Sequence, residues 1–568
     1  MAVVGGRMEA VAPRRTMFAP DYLRLAALAA VSVAVHSWLI GHAPVTARDG
    51  IGFARYAICL QTPRDANPPG VDPAKAIATS LDVVAVQQQA PGYPVAVALA
   101  AKFVRRTQGI PDLDAPRHAV QFLLAAQLVS AAAAVLLVVP TYLIGRMLFG
   151  RSVGFAAALL FQILPVPAHL TSDALSEGVY LLSAATALMF AVRAVRRPGV
   201  GGFLVCGLAV GASYLVRLEG LMVAAALGAV AGWLGLTRRW PRDQTLGRLT
   251  ALGVGVALIA GPYVLLIGKL SNKPTANDAV PSLINPRQKL IEGNAGRGGP
   301  VVAAPLFAKW WTVPSEAGPV GVVGPAAAAA LEETGKGLHY VGAGFALLGV
   351  FFLRRRVAAE PGLALLLTLA GTNLLVLVAL GTTGYYVQGK HTFYVSERHT
   401  VLLVLIGCYF VAAALEPLAA LLSSVPKVGR FWAGRFAPTG LLVALVVAAL
   451  PTTLKPLHPH REGHKHAGAW LAANLREADC LIDPFEWAQW YSGRSLYRVP
   501  ADPPRPEVTY AVLDDKDHDD DHARLPRMKD ARNVAADGRA AVVYFWPEDG
   551  PEATAKVKVY RLVRPAAK

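Results

Sequence analysis

The chain has 568 residues, of which 54% are hydrophobic and 16% are charged, and its mean hydropathy is +0.41. Soluble globular domains carry about 25% charged residues, so this composition excludes an ordinary soluble domain and indicates an integral membrane protein. The formal net charge is +17. The basic residues, however, form short clusters between apolar runs, which is typical of topology signals and argues against a nucleic-acid partner.

Apolar segments taken in chain order predict a polytopic α-helical membrane protein with about eleven transmembrane helices. These spans are expected near residues 21–41, 119–141, 152–169, 175–192, 201–216, 219–237, 249–268, 338–353, 361–382, 399–421 and 437–454. No small-residue cleavage site follows the first segment, so we expect it to remain as an uncleaved span. The lipid bilayer is therefore a predicted partner of most of the chain.

Six basic clusters set the predicted orientation of these spans. They are Arg7 with Arg14 and Arg15, Arg146 with Arg151, Arg193 with Arg196 and Arg197, Arg238 with Arg239, Arg242 and Arg248, the arginines at 354–356, and Lys427 with Arg430 and Arg435. All six fall on one face of the predicted topology, and the positive-inside rule makes that face cytoplasmic. We therefore expect a multi-pass protein of the cell inner (plasma) membrane, with its N-terminus in the cytoplasm and its C-terminus outside.

This topology predicts three regions: a cytoplasmic N-terminal segment at 1–20, a transmembrane core at 21–454, and an extracytoplasmic soluble domain at 455–568. Long outer loops are expected at 43–118 and 269–337, and loops of such length are usually functional or disordered. In the first loop, "PGYPVAVALAAKFVRR" is apolar at first and basic at its end. This pattern predicts a helix that lies in the membrane interface.

The last region changes to an α/β pattern. A helix followed by a strand is predicted in "HREGHKHAGAWLAANLREADCLID", and further strands in "EVTYAVLD", "AAVVYFW" and "KVKVYRLV". The run rich in Asp and His at 514–522 could ligate a metal, but a dense acidic run without fixed spacing is more typical of a solvated loop. The four cysteines have no CxxC spacing, so neither a zinc site nor a disulfide framework is indicated.

Charged residues gather where the predicted spans meet the outer face. They are Asp49 after the first span, Asp173 and Glu177 before the fourth, Arg217 and Glu219 between the fifth and sixth, and Lys390, Glu397, Arg398 and His399 before the tenth. Asp173 and Glu177 are four residues apart, which predicts that both lie on one face of a helix.

Each of these groups also has a purely structural interpretation. Asp49 in "RDG" is typical of a turn or an N-cap, Asp173 can cap the helix that follows it, and Glu177 suits the first turn of that helix. Ion pairs at helix ends would explain the remaining groups. Four groups on one membrane face favour a functional site instead, because ionisable residues at membrane depth are functional candidates by default.

Acids and arginines at the lipid boundary suit glycosyl transfer from a polyprenyl-phosphate-linked sugar. The acceptor hydroxyl needs one carboxylate as a base, and the phosphate leaving group needs positive charge rather than a general acid. Arginines can supply that charge, so no cofactor is required, although a divalent metal is compatible with the chemistry. The sequence does not specify whether the acceptor is a protein, a lipid or a glycan.

Four stretches, in their order along the chain, resemble the glycosyltransferase-C superfamily, and within it the group of protein O-mannosyltransferases and the lipid A aminoarabinose transferase. These stretches are "RDGIGFARYA", "QAPGYPVAVALA", "SDALSEGVYLL" and "GLAVGASYLVRLEGL", and the resemblance covers roughly residues 20–400. It implies that Asp49 is the base or the carboxylate that orients the acceptor, and that Asp173 is its supporting acid. It further implies donor-phosphate contacts at Arg217, Arg398 and Lys390, and supporting roles for Glu177, Glu219 and Tyr93.

The sequence departs from that family at two points. Gln89 stands where many relatives carry Lys or His, so the cation expected there is either missing or supplied by Lys102 or Lys390. The first loop has one acid where the protein mannosyltransferases have an adjacent pair, which leaves the acceptor open. The alternative to an enzyme is a polytopic transporter or flippase of a lipid-linked or small polar substrate. The charges cluster at one face rather than near mid-span, which favours the enzyme.

Overall fold

The computed structural model describes residues 21–63, 77–107, 117–272, 319–357, 359–388, 395–424, 436–476, 478–493, 507–515, 525 and 527–563. Helices make up most of this part of the chain. The helices between residues 21 and 267 are α1 (Asp21–Gly41), α2 (Arg48–Gln61), α3 (Ser80–Val86), α4 (Gly92–Thr107), α5 (Arg117–Leu148), α6 (Arg151–Ile163), α7 (Pro165–Ser172), α8 (Glu177–Arg196), α9 (Val200–Tyr214), α10 (Leu221–Leu236) and α11 (Arg242–Ile267).

The second half begins with α12 (Pro319–Gly337), α13 (Val341–Val357), α14 (Pro361–Gln388), α15 (Glu397–Ser423) and α16 (Ala437–Thr453). Among the described residues, seven helices are long and apolar enough to cross a membrane, or up to nine if each of two bent helix pairs counts once. Two shorter apolar helices, α9 and α16, accompany them. The expected polytopic helical architecture is therefore confirmed, and each predicted span overlaps a helix or a bent pair, but the predicted count of about eleven transmembrane spans is not confirmed.

The two bent pairs interrupt the helical bundle at identifiable residues. Helices α6 and α7 meet at 65°, where Pro165 begins α7. Because Pro167 has no N–H to donate to the carbonyl four residues before it, the carbonyl of Ile163 accepts a hydrogen bond from the Thr453 hydroxyl of α16 instead. Helices α12 and α13 meet at 105°, with His339 and Tyr340 in the left-handed region between them.

Helix α12 corrects the prediction of an outer loop over 269–337. Residues 319–337 are helical and pack against α14 and α15, and Glu333 of α12 is only 1% exposed. Residues 273–318 lie outside the described residues. A loop was predicted here because glycine and proline residues interrupt the segment and because its polar end lowers the mean hydropathy.

The basic ends of several helices lie side by side. Arg146 at the end of α5 forms a 2.9 Å ion pair with Asp21 at the start of α1. Arg356 at the end of α13 donates a hydrogen bond of 3.0 Å to the carbonyl of Leu148, which also ends α5. These contacts join three helix ends at one face of the bundle, as the alternation of basic clusters predicts.

The described part of the first predicted outer loop is largely helical. It contains α2, α3 and α4, of which α4 covers the segment predicted to be an interfacial helix. Val95, Leu99 and Phe103 recur every four residues along α4 and are exposed at 41%, 63% and 69% of their surfaces. An exposed apolar stripe of this kind is typical of a helix whose face lies in lipid.

The C-terminal segment contains the predicted α/β elements. They are α17 (Glu462–Asn474), β1 (Cys480–Ile482), α18 (Trp487–Tyr491), β2 (Val508–Asp514), α19 (Met528–Ala536), β3 (Ala541–Trp546) and β4 (Val557–Val563). The strands form one sheet in the order β1-β2-β4-β3, in which only β1 and β2 are parallel. Trp487 and Trp490 belong to the same buried apolar cluster as the transmembrane helices, so this segment packs directly on the bundle.

Candidate active site

Asp49 lies in the first turn of α2, which a short connection joins to the end of α1 at Gly41. The N-cap position is held by Ala47, which has no side-chain cap, so the interpretation of Asp49 as a helix cap is wrong. Its side chain is 50% exposed, and Oδ2 lies 2.5 Å from Nη1 of Arg398. Asp49 is therefore an accessible carboxylate with a cation on one side.

Glu177 connects the two arginines of the site. Its Oε1 accepts a hydrogen bond of 2.7 Å from Nε of Arg398 and another of 2.7 Å from Nη1 of Arg217. The second amino group of Arg217 donates to Glu219 over 2.8 Å. Asp49, Arg398, Glu177, Arg217 and Glu219 thus form one continuous chain of ion pairs, which we call the ion network.

Burial differs sharply along the ion network. The Glu177 side chain is 0% exposed and that of Arg217 is 9% exposed, whereas Arg398 is 29% and Asp49 is 50% exposed. A buried carboxylate is tolerated only when cations and hydrogen bonds compensate for lost hydration. Glu177 therefore holds the two arginines in place from the buried side, and Asp49 and Arg398 form the accessible part of the ion network.

Arg217 occupies the short connection between α9 and α10. It is the N-cap residue of a single 3-10 turn, Leu218–Gly220, and its guanidinium lies 5.5 Å from the centre of the Tyr180 ring. Burial alone would lower the pKa of Arg217, but the carboxylates of Glu219 and Glu177 outweigh that effect and raise its pKa. Arg217 is thus a permanent cation of the site.

The "PGYP" motif supports this connection from the first loop. The Gly92 amide donates a hydrogen bond of 2.7 Å to the carbonyl of Leu215, and a Cβ at Gly92 would lie 2.7 Å from the same oxygen. The Tyr93 hydroxyl donates to the carbonyl of Ala126 over 2.9 Å, and its ring packs edge-on against Phe53 of α2. Tyr93 joins α2, α4 and α5, and it lies outside the ion network.

Asp173 occupies a different environment from Glu177. It ends α7, whereas Glu177 begins α8, so the prediction that the two acids share one helix face is wrong. The reason is a non-helical stretch between them, in which Asp173 turns back to accept the amide of Ala174 over 2.7 Å. Its two oxygens also accept the amide of Ala47 over 2.9 and 3.1 Å.

These contacts make Asp173 an anchor for the helix that carries Asp49. Asp173 is 3% exposed, and Nε2 of His458 lies 2.7 Å from its Oδ2. Gly50 permits the close approach, because a Cβ there would lie 2.7 Å from the Ala174 side chain. Asp173 therefore acts on the site through the backbone of Ala47, two residues before Asp49.

The remaining predicted cations are not part of the ion network as described. Lys390 lies outside the described residues, and Lys102 is exposed on α4. Residues 516–522 of the Asp- and His-rich run also lie outside them. Within the ranges that the structure does describe, no group of three or more His, Cys, Asp or Glu side chains is arranged to hold a metal ion.

Sequence reasoning missed the contribution of the C-terminal segment. His458 contacts Asp173, which holds the backbone two residues before Asp49. Glu486 contacts Arg48, and Trp487 contacts Thr46, within three residues of Asp49. The histidine that follows the last span was the available signal, but nothing local to the sequence indicates its partner 285 residues earlier.

Comparison with known proteins identifies the fold around this site. The family described as dolichyl-phosphate-mannose-protein mannosyltransferase matches residues 121–264, about a quarter of the chain. No curated protein matches the sequence significantly. Residues 121–264 include Asp173, Glu177, Arg217 and Glu219, so the family match covers the buried part of the ion network.

Two solved structures share the architecture at low sequence identity. ArnT from Cupriavidus metallidurans, solved bound to undecaprenyl phosphate, is 14% identical with a TM-score of 0.51, over 97% of this chain and 100% of that chain. The oligosaccharyltransferase AglB from Archaeoglobus fulgidus, in complex with an inhibitory peptide and a dolichol-phosphate, is 14% identical with a TM-score of 0.51, over 85% of this chain. This chain spans only 60% of the length of AglB.

These findings confirm the predicted resemblance to the glycosyltransferase-C superfamily. The protein has the fold of a glycosyltransferase-C membrane protein, and the ion network lies in that fold at the end of the bundle opposite the paired basic helix ends. The family model matches about a quarter of the sequence, whereas the structural match to ArnT covers 97% of it.

Proposed function

We propose that this protein is a membrane glycosyltransferase that transfers a sugar from a polyprenyl-phosphate donor to an extracytoplasmic protein, lipid or glycan. The observation that carries this proposal is the pairing of an exposed carboxylate, Asp49, with a half-buried guanidinium, Arg398. The buried Glu177 holds Arg398 and Arg217 together. A base beside a fixed cation is what phosphate-displacing glycosyl transfer requires.

The reaction is an inverting displacement at the anomeric carbon of the sugar. The acceptor hydroxyl attacks that carbon while its proton passes to the Asp49 carboxylate, and the bond from the carbon to the phosphate oxygen breaks. Polyprenyl phosphate leaves with the bonding electrons, so negative charge grows on its oxygen. Arg398 neutralises that charge, with Arg217 and Lys390 as the further cations, and no general acid is needed.

The supporting acids have distinct tasks in this proposal. Glu177 and Glu219 keep the arginines fixed, and Asp173 holds the helix that bears Asp49. A preorganised charge array costs no rearrangement at the moment of reaction. The donor class agrees with the undecaprenyl phosphate in the ArnT structure and the dolichol-phosphate in the AglB structure.

The proposed topology places this chemistry on the outer face. Eleven segments span the membrane, the N-terminal segment 1–20 lies in the cytoplasm, and residues 455–568 lie outside, above the core at 21–454. The contacts that bring basic helix ends together at the opposite face support this orientation.

A donor-turnover assay tests the proposal. Purified protein in nanodiscs would receive a panel of radiolabelled polyprenyl-phosphate sugars together with a cell-envelope extract as the source of acceptor. We expect release of free polyprenyl phosphate and transfer of label to a larger product, and loss of both with Asp49→Asn.

A transporter or flippase would give a different result. In proteoliposomes it would move the donor across the bilayer and return it chemically intact, which would contradict the proposal. Mass spectrometry of cell-envelope glycans, lipids and glycoproteins with and without the protein would then identify the sugar and the acceptor.

A further inference from the structure

The C-terminal segment contacts the residues immediately before Asp49. The indole Nε1 of Trp487 donates a hydrogen bond of 3.0 Å to the carbonyl of Thr46. The Trp487 side chain is 1% exposed, and the Arg461 guanidinium lies 4.5 Å from the centre of its ring. A buried indole with its single donor used and its ring covered has one available orientation, so it fixes the Thr46 carbonyl.

Glu486 makes a second contact with the same helix. Its two carboxylate oxygens lie 3.6 Å from Arg48 and 3.3 Å from Arg55. These arginines are seven residues apart and therefore share one face of α2. Glu486 itself is in the left-handed region at φ 69°, directly before α18. The carboxylate thus bridges two turns of the helix that carries Asp49.

Three consecutive residues before Asp49 are consequently held by different partners. Thr46 is held by Trp487, Ala47 by Asp173 and Arg48 by Glu486. Two of these three partners come from the C-terminal segment. Asp49 is half exposed and its carboxylate contacts Arg398 through one oxygen, so the direction of that carboxylate also depends on the backbone that these contacts fix.

We propose that Trp487 and Glu486 are positioning residues, through which the C-terminal segment holds the first turn of α2 and aims the Asp49 carboxylate. The kinetic part of this inference rests on the proposed glycosyl transfer, and the structural part does not. A displacement of about 1 Å at a reacting group can cost about 100-fold in rate. Loosening one of three anchors should therefore reduce turnover while donor binding stays intact.

Trp487→Phe and Glu486→Gln test the proposal in the full-length protein in nanodiscs. Trp487→Phe retains the ring but removes the N–H donor, and Glu486→Gln retains the size but removes the charge. Trp470→Phe is the matched control, because Trp470 lies in the same segment and stacks on Tyr544 rather than on α2. We expect each test variant to lower kcat about 5- to 20-fold with an unchanged donor Kd.

Hydrogen exchange provides a readout that does not depend on activity. Amides in peptides covering residues 45–56 should exchange faster in both test variants and at the wild-type rate in Trp470→Phe. Faster exchange with wild-type kcat would overturn the positioning of Asp49. Unchanged exchange in the test variants would overturn the anchoring itself. If the wild-type protein transferred no sugar, the proposed function would fail, and the exchange data would still decide the structural part.

Discussion

Arg398 and Glu177 are joined by a hydrogen bond of 2.7 Å between a guanidinium that is 29% exposed and a carboxylate that is 0% exposed. The buried acid therefore fixes one edge of the guanidinium. Another nitrogen of Arg398, Nη1, contacts the accessible carboxylate of Asp49. Glu177 therefore holds the guanidinium of Arg398 in place, and Asp49 contacts its accessible part.

The role of Asp49 predicts the effect of Asp49→Asn. Asparagine preserves the size and much of the hydrogen bonding but removes the proton acceptor. We expect turnover to fall about 100- to 10,000-fold, the usual range for a positioned acid-base group, while donor affinity survives. Single-turnover kinetics with pre-bound donor measure the chemical step directly. Asp530→Asn, on an exposed face of α19, is the control. Wild-type turnover in Asp49→Asn would contradict the assignment of Asp49 as the base.

Asp173 should respond differently to two substitutions. Asp173→Asn keeps an oxygen that can accept the Ala47 amide, so we expect a smaller loss of turnover than in Asp49→Asn. Asp173→Ala removes the acceptor and leaves buried amides unpaired, which costs about 1 to 3 kcal/mol of stability. Thermal unfolding and kcat measured together distinguish the two effects. A loss in Asp173→Asn greater than that in Asp49→Asn would exchange the two assignments.

The two arginines of the ion network should contribute to both donor binding and stability. Arg398→Ala removes an accessible charge-assisted contact of about 1.5 to 3 kcal/mol, which corresponds to donor binding about 10- to 150-fold weaker. Arg398→Ala and Arg217→Ala each leave the buried Glu177 with one cation fewer. Breaking a buried ion pair in this way costs about 3 to 5 kcal/mol, so we expect the melting temperature of both variants to fall.

Donor affinity is measured by titration with a radiolabelled polyprenyl-phosphate sugar, and stability by thermal unfolding in the same detergent. Arg106→Ala, in the last turn of α4, serves as a basic control outside the ion network. Unchanged donor affinity in a folded Arg398→Ala variant would remove this residue from the phosphate site.

The topology predicts opposite labelling of two introduced cysteines. The native Cys59, Cys206, Cys408 and Cys480 are all buried, so background labelling should be low. Lys529→Cys on α19 should react with a membrane-impermeant maleimide in intact cells, because the C-terminal segment is predicted to lie outside. Arg239→Cys, between α10 and α11, should react only after the membrane is opened. The reverse pattern would invert every assignment to the outer face.

The sequence predicted the helices well because apolar length is a local property. The sidedness of basic clusters placed Asp49, Glu177, Arg217 and Arg398 at one face, and the structure brings these four side chains into contact. The sequence alone could not show which of these four side chains pair with one another. Glu177 was expected to share one helix face with Asp173, but the helix break between the two acids sends them to different partners.

Long-range contacts account for most of what the sequence missed. The approach of Trp487 to Thr46 joins residues separated by 441 positions, and neither residue has a local pattern that would indicate the other. Helix α12 was missed for a different reason. Its buried acids reduce the hydropathy of a segment that nevertheless packs inside the bundle.

The ion network also sets an order of events during biosynthesis. Arg217 follows Glu177 by 40 residues, whereas Arg398 follows Asp49 by 349 residues. At about 5 to 20 residues per second, a ribosome needs about 2 to 8 s for the first interval and about 20 to 70 s for the second. We expect a nascent chain stalled before α15 to have its buried acid already neutralised by Arg217 and to bind no donor. Asp49 therefore cannot pair with Arg398 until nearly three quarters of the chain has left the ribosome.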